Sequence, residues 1–131
     1  VDNNNGWARH SDERYKKNIQ SSTLGLEFIK ALRTVTYHWK APNELESDIP
    51  GYDSEKTVPD NENVQRGFIA QEVKQVLDDQ EVTDFGGWME NEDGMQGIAK
   101  ESFIDPLIKA VQELSAEVTA LKAEVAALKG E

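Results

Sequence analysis

The chain has 131 residues and a formal net charge of −11 at pH 7, from 14 basic and 25 acidic side chains, and it contains no cysteine. A chain of this length fits one modest domain with an appendage, and its acidity argues against binding to nucleic acid or to an anionic membrane surface. The lack of cysteine excludes disulfides and thiolate metal sites, and we expect neither a metal nor another cofactor.

Residues 1–10 are rich in asparagine and are interpreted as a connector from an upstream segment of a longer chain. Next comes the stretch Ser11 to Ile19, in which a serine hydroxyl precedes the lysine amine of Lys16 in a locally basic patch. A serine is a weak nucleophile until a base removes its proton. A lysine can do so only when burial or nearby positive charge brings its pKa well below the ordinary ~10.4. The charge would come from Arg9, Arg14 and Lys17. On spacing alone, however, a Ser-Asp pair is more typical of a turn or a helix start.

Two elements are predicted next. Apolar residues recur at helical spacing over 23–33, which predicts a short amphipathic helix. Over 34–40, Val35, Tyr37 and Trp39 alternate with polar neighbours, which predicts a half-buried strand.

Residues 41–65 hold three of the four prolines, and seven acidic residues against one lysine. This composition predicts a long, mobile acidic loop on the solvent surface. Its carboxylates lack the regular spacing that a calcium loop requires.

The stretch Gly67 to Ala70 predicts a short buried strand that leads into a helix from Gln71 to Leu77. Val82 to Ile98 is interpreted as strands around turns, because Asn91 to Gly94 is typical of a hairpin.

The C-terminal segment, 106–131, carries the clearest pattern. Pro106 suits a first helical turn, with Asp105 as its cap. Apolar residues then step by four and three, with valine at heptad position a and leucine at d, which predicts a parallel coiled coil. Valine at a with leucine at d favours dimers in short coils, and three strands remain open. The predicted interface consists of Leu107, Val111, Leu114, Val118, Leu121, Val125 and Leu128.

The predicted class is therefore α+β. A small mixed globular domain over 11–105, with short strands and a hairpin, precedes the coiled-coil helix.

Four segments in this order resemble one known family. They are Ser11 to Ile19 (SDERYKKNI), Leu32 to Lys40, Gly67 to Val73 (GFIAQEV) and Pro106 to Leu114. The family is the C-terminal intramolecular chaperone, auto-processing domain of bacteriophage tailspikes and tail fibres, which also occurs in the myelin regulatory factor. The resemblance covers about residues 11–128.

The resemblance implies a homotrimer that promotes folding of the upstream fibre segment and then releases itself by cutting the His10–Ser11 bond. The catalytic pair of the family would be Ser11 and Lys16, with Lys17 as the substitute lysine. Asp12 or Glu72 would orient the lysine or a water molecule. Assembly would take place in the cytoplasm of the host bacterium, and the mature fibre would belong to the virion tail.

Two alternatives remain open at this stage. The chain would be a permanent trimeric cap that folds a fibre without cutting, or a receptor-binding tip whose contact surface is the acidic loop 41–65.

Overall fold

The computed structural model describes residues 10–130, so most of the predicted connector lies outside the described residues. Two antiparallel strand pairs and three helices follow one another along the chain, which confirms the α+β class, the hairpin and the C-terminal helix. The elements are α1 (Leu26–Ala31), β1 (Val35–Tyr37), β2 (Gln65–Gly67), α2 (Ala70–Asp79), β3 (Trp88–Glu90), β4 (Gln96–Ile98) and α3 (Ile104–Leu128). Short 3-10 turns occupy Glu13–Tyr15, Pro42–Glu44 and Lys100–Phe103.

The core lies between α1, α2 and the 3-10 turn that precedes α3. Val73 and Leu77, one turn apart on α2, pack against Phe28 of α1 and Phe103 of that turn. The exposed fraction of Phe28 is 1% and that of Val73 is 2%. The ring of Phe103 also stacks on Phe68, with 4.7 Å between centroids. Burial of each such side chain contributes about 1.5–3 kcal/mol, so a few aromatic and aliphatic residues hold the body together.

The first helix and strand are shorter than predicted. α1 begins at Leu26 rather than at residue 23, and it ends before Leu32, whose backbone is extended. β1 keeps the expected half-burial of Val35 and Tyr37, but Trp39 lies beyond the strand and is 54% exposed. The β-branched residues after the helix favour extended backbone, which ends the helical run early.

The second strand is shifted from its predicted position. β2 covers Gln65–Gly67, and Gly67 pairs with Val35 of β1. Phe68 follows the strand and turns into the core, and α2 starts at Ala70 and continues to Asp79. The apolar run Gly67 to Ala70 is therefore not a strand: it connects the end of β2 to the start of α2.

The acidic loop 41–65 connects these two paired strands and bonds to itself. The Asn43 N–H donates to the carbonyl of Lys56 at 3.0 Å, and the Asp53 N–H donates to the carbonyl of Pro42 at 3.4 Å. The Ala41 N–H donates to Glu44 Oε2 at 2.7 Å. The first part of the loop, from Pro42 to Lys56, therefore folds back on itself through backbone hydrogen bonds.

The predicted hairpin is confirmed. β3 and β4 pair antiparallel around Asn91 to Gly94. The Asn91 N–H donates to the carbonyl of Met95 at 2.8 Å, and Gly94 takes a φ of +82°, which glycine adopts without steric cost.

The start of α3 differs from the prediction. The helix begins at Ile104, directly after the 3-10 turn, and Asp105 makes no capping hydrogen bond. Pro106 is the third helical residue, where a backbone N–H would have no partner within the helix, so the ring is accommodated. Pro106 and Ala110 are buried, and α1 packs against this end of α3. After Glu113, every described residue except Ala126 is exposed.

Candidate functional site

Ser11 and Lys16 lie in direct contact. Lys16 Nζ donates to Ser11 Oγ at 2.6 Å. A 3-10 turn over Glu13–Tyr15 reverses the chain between them, closed by bonds of 3.0 Å from the Tyr15 N–H to the Asp12 carbonyl and from the Lys16 N–H to the Glu13 carbonyl. The turn therefore brings together the hydroxyl and the amine that the sequence analysis paired.

Asp12 contacts Arg14 and not Lys16. Asp12 Oδ1 accepts from both the backbone N–H and Nε of Arg14 at 2.9 Å, and Oδ2 accepts from Nη2 at 2.9 Å. The side-chain bond to Arg14 lowers the pKa of Asp12, and the same bond raises the pKa of Arg14. Within this chain Asp12 therefore stabilises the turn, and its predicted role of orienting Lys16 or a water molecule remains a prediction.

Glu72 is likewise placed elsewhere. It stands on α2, where its two oxygens accept from Nε and Nη2 of Arg33 at 2.7 Å each. The bond to Arg33 lowers the pKa of the Glu72 carboxyl. Among residues 10–130, Glu72 makes no hydrogen bond to Ser11 or Lys16, so the structure does not support its predicted role at the pair.

The surroundings of the pair also differ from the expectation of burial. All residues from 10 to 23 are exposed, including Lys17, and Arg9 lies outside the described residues. The positive charge of Arg14 faces the carboxylate of Asp12. A single chain therefore provides the contact between hydroxyl and amine but not a dry environment for it.

Two features of this segment were not predicted. The imidazole of His10 stacks on the ring of Tyr15, with 5.1 Å between centroids and 17° between planes. Asn18 takes a φ of 56°, a left-handed conformation that asparagine tolerates better than most residues. The sequence held a signal for the stack, because His10 and Tyr15 have the same separation as Ser11 and Lys16.

A second candidate region is the exposed side of α3. The apolar residues predicted to face a partner are 46–88% exposed. Ile104 precedes Val111 by one heptad and is 55% exposed, so it extends the a series toward the body. Ile108 is 52% exposed at an e position. The chain therefore presents a continuous apolar stripe along α3, which we call the seam: Ile104, Leu107, Ile108, Val111, Leu114, Val118, Leu121, Val125 and Leu128.

An open apolar groove of about 670 Å³ adjoins the seam at its body end. Val35, Phe68 and Phe103 line it together with Ile104 and Leu107 of the seam.

Two further observations concern residues 10–130 as a whole. No three histidine, aspartate or glutamate side chains in this range cluster closely enough to hold a metal ion. None of the helices described there is long and apolar enough to cross a membrane.

Comparison with known proteins gives one positive finding. A family model described as the chaperone of endosialidase matches residues 11–82, more than half of the chain. The matched span includes three of the four segments on which the resemblance rests, and it ends before α3. A search of curated proteins found no match.

Proposed function

The chain belongs to the chaperone of endosialidase family, and we propose that it is an intramolecular chaperone. It trimerises and promotes folding of an upstream phage tail fibre or tailspike segment of the same polypeptide. It then cuts itself off. The cut falls between His10 and Ser11, with Ser11 as nucleophile and Lys16 as base. The reaction occurs in the host bacterial cytoplasm, and the mature fibre joins the virion tail.

The observation that carries the proposed assembly is the exposed seam. Burial of a leucine or valine side chain contributes about 1.5–3 kcal/mol, so a seam of this length strongly favours a partner. Apolar residues at a and d positions pack as knobs into holes of neighbouring helices. Glu117 and Lys122, and Glu124 and Lys129, fall at g and following e positions, where they pair between parallel chains.

Three helices suit the seam better than two at its body end. There Ile104, Leu107 and Ile108 together form an apolar surface wider than a single a/d stripe. A third helix would cover that extra width, and the adjoining groove offers further apolar surface to a neighbouring body.

Trimerisation of this kind would help the upstream segment fold. Three chains held in register convert the meeting of their upstream segments into an intramolecular event at high effective concentration. Folding of intertwined β-rich stalks is otherwise slow, because many distant contacts must form together.

The cleavage chemistry follows from the contact of 2.6 Å between Lys16 Nζ and Ser11 Oγ. The Ser11 oxygen attacks the His10 carbonyl carbon while its proton passes to a neutral Lys16 amine. The C–N bond then breaks, and Lys16 returns the proton to the Ser11 nitrogen. Water hydrolyses the resulting ester, which leaves a His10 carboxylate and a free Ser11 hydroxyl.

Assembly is expected to precede the cut. A lysine acts as a base only in its neutral form, and desolvation favours that form. The pair is exposed in a single chain, so covering of this segment by neighbouring chains would supply the desolvation that the base needs. Cleavage would therefore report completed assembly.

The test is to follow the purified 131-residue chain by intact-mass spectrometry and by a denaturing gel. The wild type should release the peptide 1–10, whereas Ser11→Ala and Lys16→Met should stay whole. Lys17→Met is the matched control and should be cut like the wild type.

Failure of the wild type to release the peptide while it sediments as a trimer would refute the proposed peptidase activity and support the permanent cap instead. Cleavage of Lys16→Met together with loss of cleavage in Lys17→Met would transfer the role of base to Lys17.

A further inference from the structure

Two side-chain pairs with the same sequence separation cross the turn at Glu13–Tyr15. One joins Ser11 and Lys16 by a hydrogen bond, and the other joins His10 and Tyr15 by ring stacking. The first holds the hydroxyl that attacks in the proposed cleavage. The second holds the side chain of the residue whose carbonyl is attacked.

The stack is a local feature that the core does not require. Tyr15 is 72% exposed, and among the described residues its ring stacks on that of His10 alone. A tyrosine that contributes nothing to the core and stacks beside the scissile bond is placed to restrict that bond.

We infer that Tyr15 is a positioning residue for the self-cleavage proposed above, and that it acts by holding His10. The distance from Ser11 Oγ to the His10 carbonyl carbon is set by rotation about the N–Cα and Cα–Cβ bonds of Ser11. Stacking of the His10 ring on Tyr15 ties residue 10 to the turn and so limits the first rotation, and the hydrogen bond from Lys16 limits the second. Holding both reacting groups converts a rare geometry into a common one, the part of catalysis that positioning supplies.

The hydrogen bonds between Asp12 and Arg14 stabilise the turn that both pairs span. Three hydrogen bonds from Arg14 converge on the Asp12 carboxylate, and the turn closes on the Asp12 carbonyl. Residues 10 and 11 are therefore held at a fixed distance from residues 15 and 16 by contacts within this short segment.

A preference for the residue before the cut follows from the same geometry. Position 10 should require a flat ring that can stack on Tyr15, and aromatic side chains should replace His10 with little loss. Small aliphatic side chains at position 10 cannot stack on Tyr15 and should slow cleavage.

The experiment measures the rate of cleavage at the bond after residue 10 in the 131-residue chain. Tyr15→Leu and His10→Ala should each slow cleavage about tenfold to a hundredfold, because the bond is misplaced rather than the catalytic groups removed. Tyr15→Phe and His10→Phe keep two rings and should cut at close to the wild-type rate. The double variant His10→Ala/Tyr15→Leu should be no slower than either single variant, since both remove the same contact.

Two measurements separate positioning from a structural role. The thermal midpoint and the sedimentation mass of Tyr15→Leu should equal those of the wild type, because the side chain is exposed. In the uncut Ser11→Ala chain, nuclear Overhauser contacts between the rings of His10 and Tyr15 should be present. They should persist between the two rings of the double variant Ser11→Ala/Tyr15→Phe.

Each failure has a distinct meaning. A wild-type rate in Tyr15→Leu overturns the inference and leaves the proposed cleavage intact. Equal slowing in Tyr15→Phe and Tyr15→Leu also overturns it, because the hydroxyl would then be the needed group. A wild-type chain that never cuts overturns the proposed cleavage, and this inference with it.

Discussion

Apolar side chains form a buried core in the globular body, whereas those of the seam along the distal half of α3 are exposed. In the body, Phe28, Val73, Leu77 and Phe103 are each less than a tenth exposed and pack on one another. Along α3, Val118, Leu121 and Val125 are each about half exposed. The body therefore completes its core within one chain, whereas the distal helix leaves its apolar face exposed.

The two regions meet at the junction of α1 and α3. There the Leu26 N–H donates to Glu113 Oε1 at 3.4 Å, and Ala110 is buried beside α1. This contact anchors the first turns of α3 to the body. Beyond it, among residues 10–130, α3 has only hydrogen bonds within the helix, and an isolated helix of about 15 residues is marginal in water. Assembly and body stability should therefore be separable by mutation.

The largest expected effect is loss of assembly in Leu121→Asp. Carboxylates at this layer would meet in the middle of the proposed trimer, and burial of unpaired charge is strongly unfavourable. The sedimentation mass should fall about threefold, to that of a monomer. Ala120→Asp, which adds the same charge on the polar face, should keep the mass of the wild type. An unchanged mass in Leu121→Asp would show that the seam is not the interface.

Phe28→Ala should have the largest effect on the body. Removal of this ring leaves a cavity beside Phe85 and Phe103, and such truncations cost about 3–5 kcal/mol in the free energy of unfolding. Urea denaturation followed by tryptophan fluorescence measures the change. Met89→Ala is the control, because Met89 is 57% exposed. A loss as small as that of the control would contradict the assignment of the core.

Gly25→Ala should weaken the junction between the two regions. A Cβ at this position would collide with Glu113 Oε1 and would lie 2.7 Å from Lys109 Cγ. Overpacking of this kind costs about 1–3 kcal/mol, and thermal denaturation should show a lower midpoint. Gly86→Ala, where a Cβ meets nothing within 4 Å, is the matched control. Equal midpoints for the two variants would mean that the side chains of Glu113 and Lys109 move aside without cost.

The smallest expected effect concerns the ion pair of Arg33 and Glu72. Because Arg33 lowers the pKa of Glu72 in the folded chain, the pair stabilises the fold above the unfolded pKa of the carboxyl, and this contribution is lost as pH falls through the lowered folded value. Between about pH 6 and about pH 2, the wild type should therefore lose slightly more stability than Glu72→Gln. Parallel curves of thermal midpoint against pH would contradict the contribution of the pair.

The parts of the fold that sequence predicted well are those whose pattern is local. The hairpin around Asn91 to Gly94, the helix α2 and the long helix α3 are each predicted by a pattern of neighbouring residues. A short stretch of sequence therefore contains all the information that predicts each of them. The position of β2 was predicted wrongly because the strand pairs with β1 across the whole acidic loop. Contacts between residues so far apart in the chain are absent from any short stretch of sequence.

The candidate site divides in the same way. Ser11 and Lys16 were paired from a motif, and the structure brings them together through a turn formed by the intervening residues. The predicted supporting roles of Asp12 and Glu72 remain predictions. Within the described chain Glu72 bonds Arg33 and Asp12 bonds Arg14, and motif order alone reveals neither neighbour.

Residues a few positions apart are enough to predict the mixed class, the hairpin, the heptad helix and the turn that carries the serine and the lysine. Which apolar faces α3 buries against its own chain, and which it leaves exposed, depends instead on how the helices pack. Pro106 and Ala110 pack on α1, whereas Leu114 and Leu121 extend past the end of the body. A heptad pattern specifies an apolar face of a helix. The length of the globular body beside the helix determines where residues of the same chain cease to contact the helix.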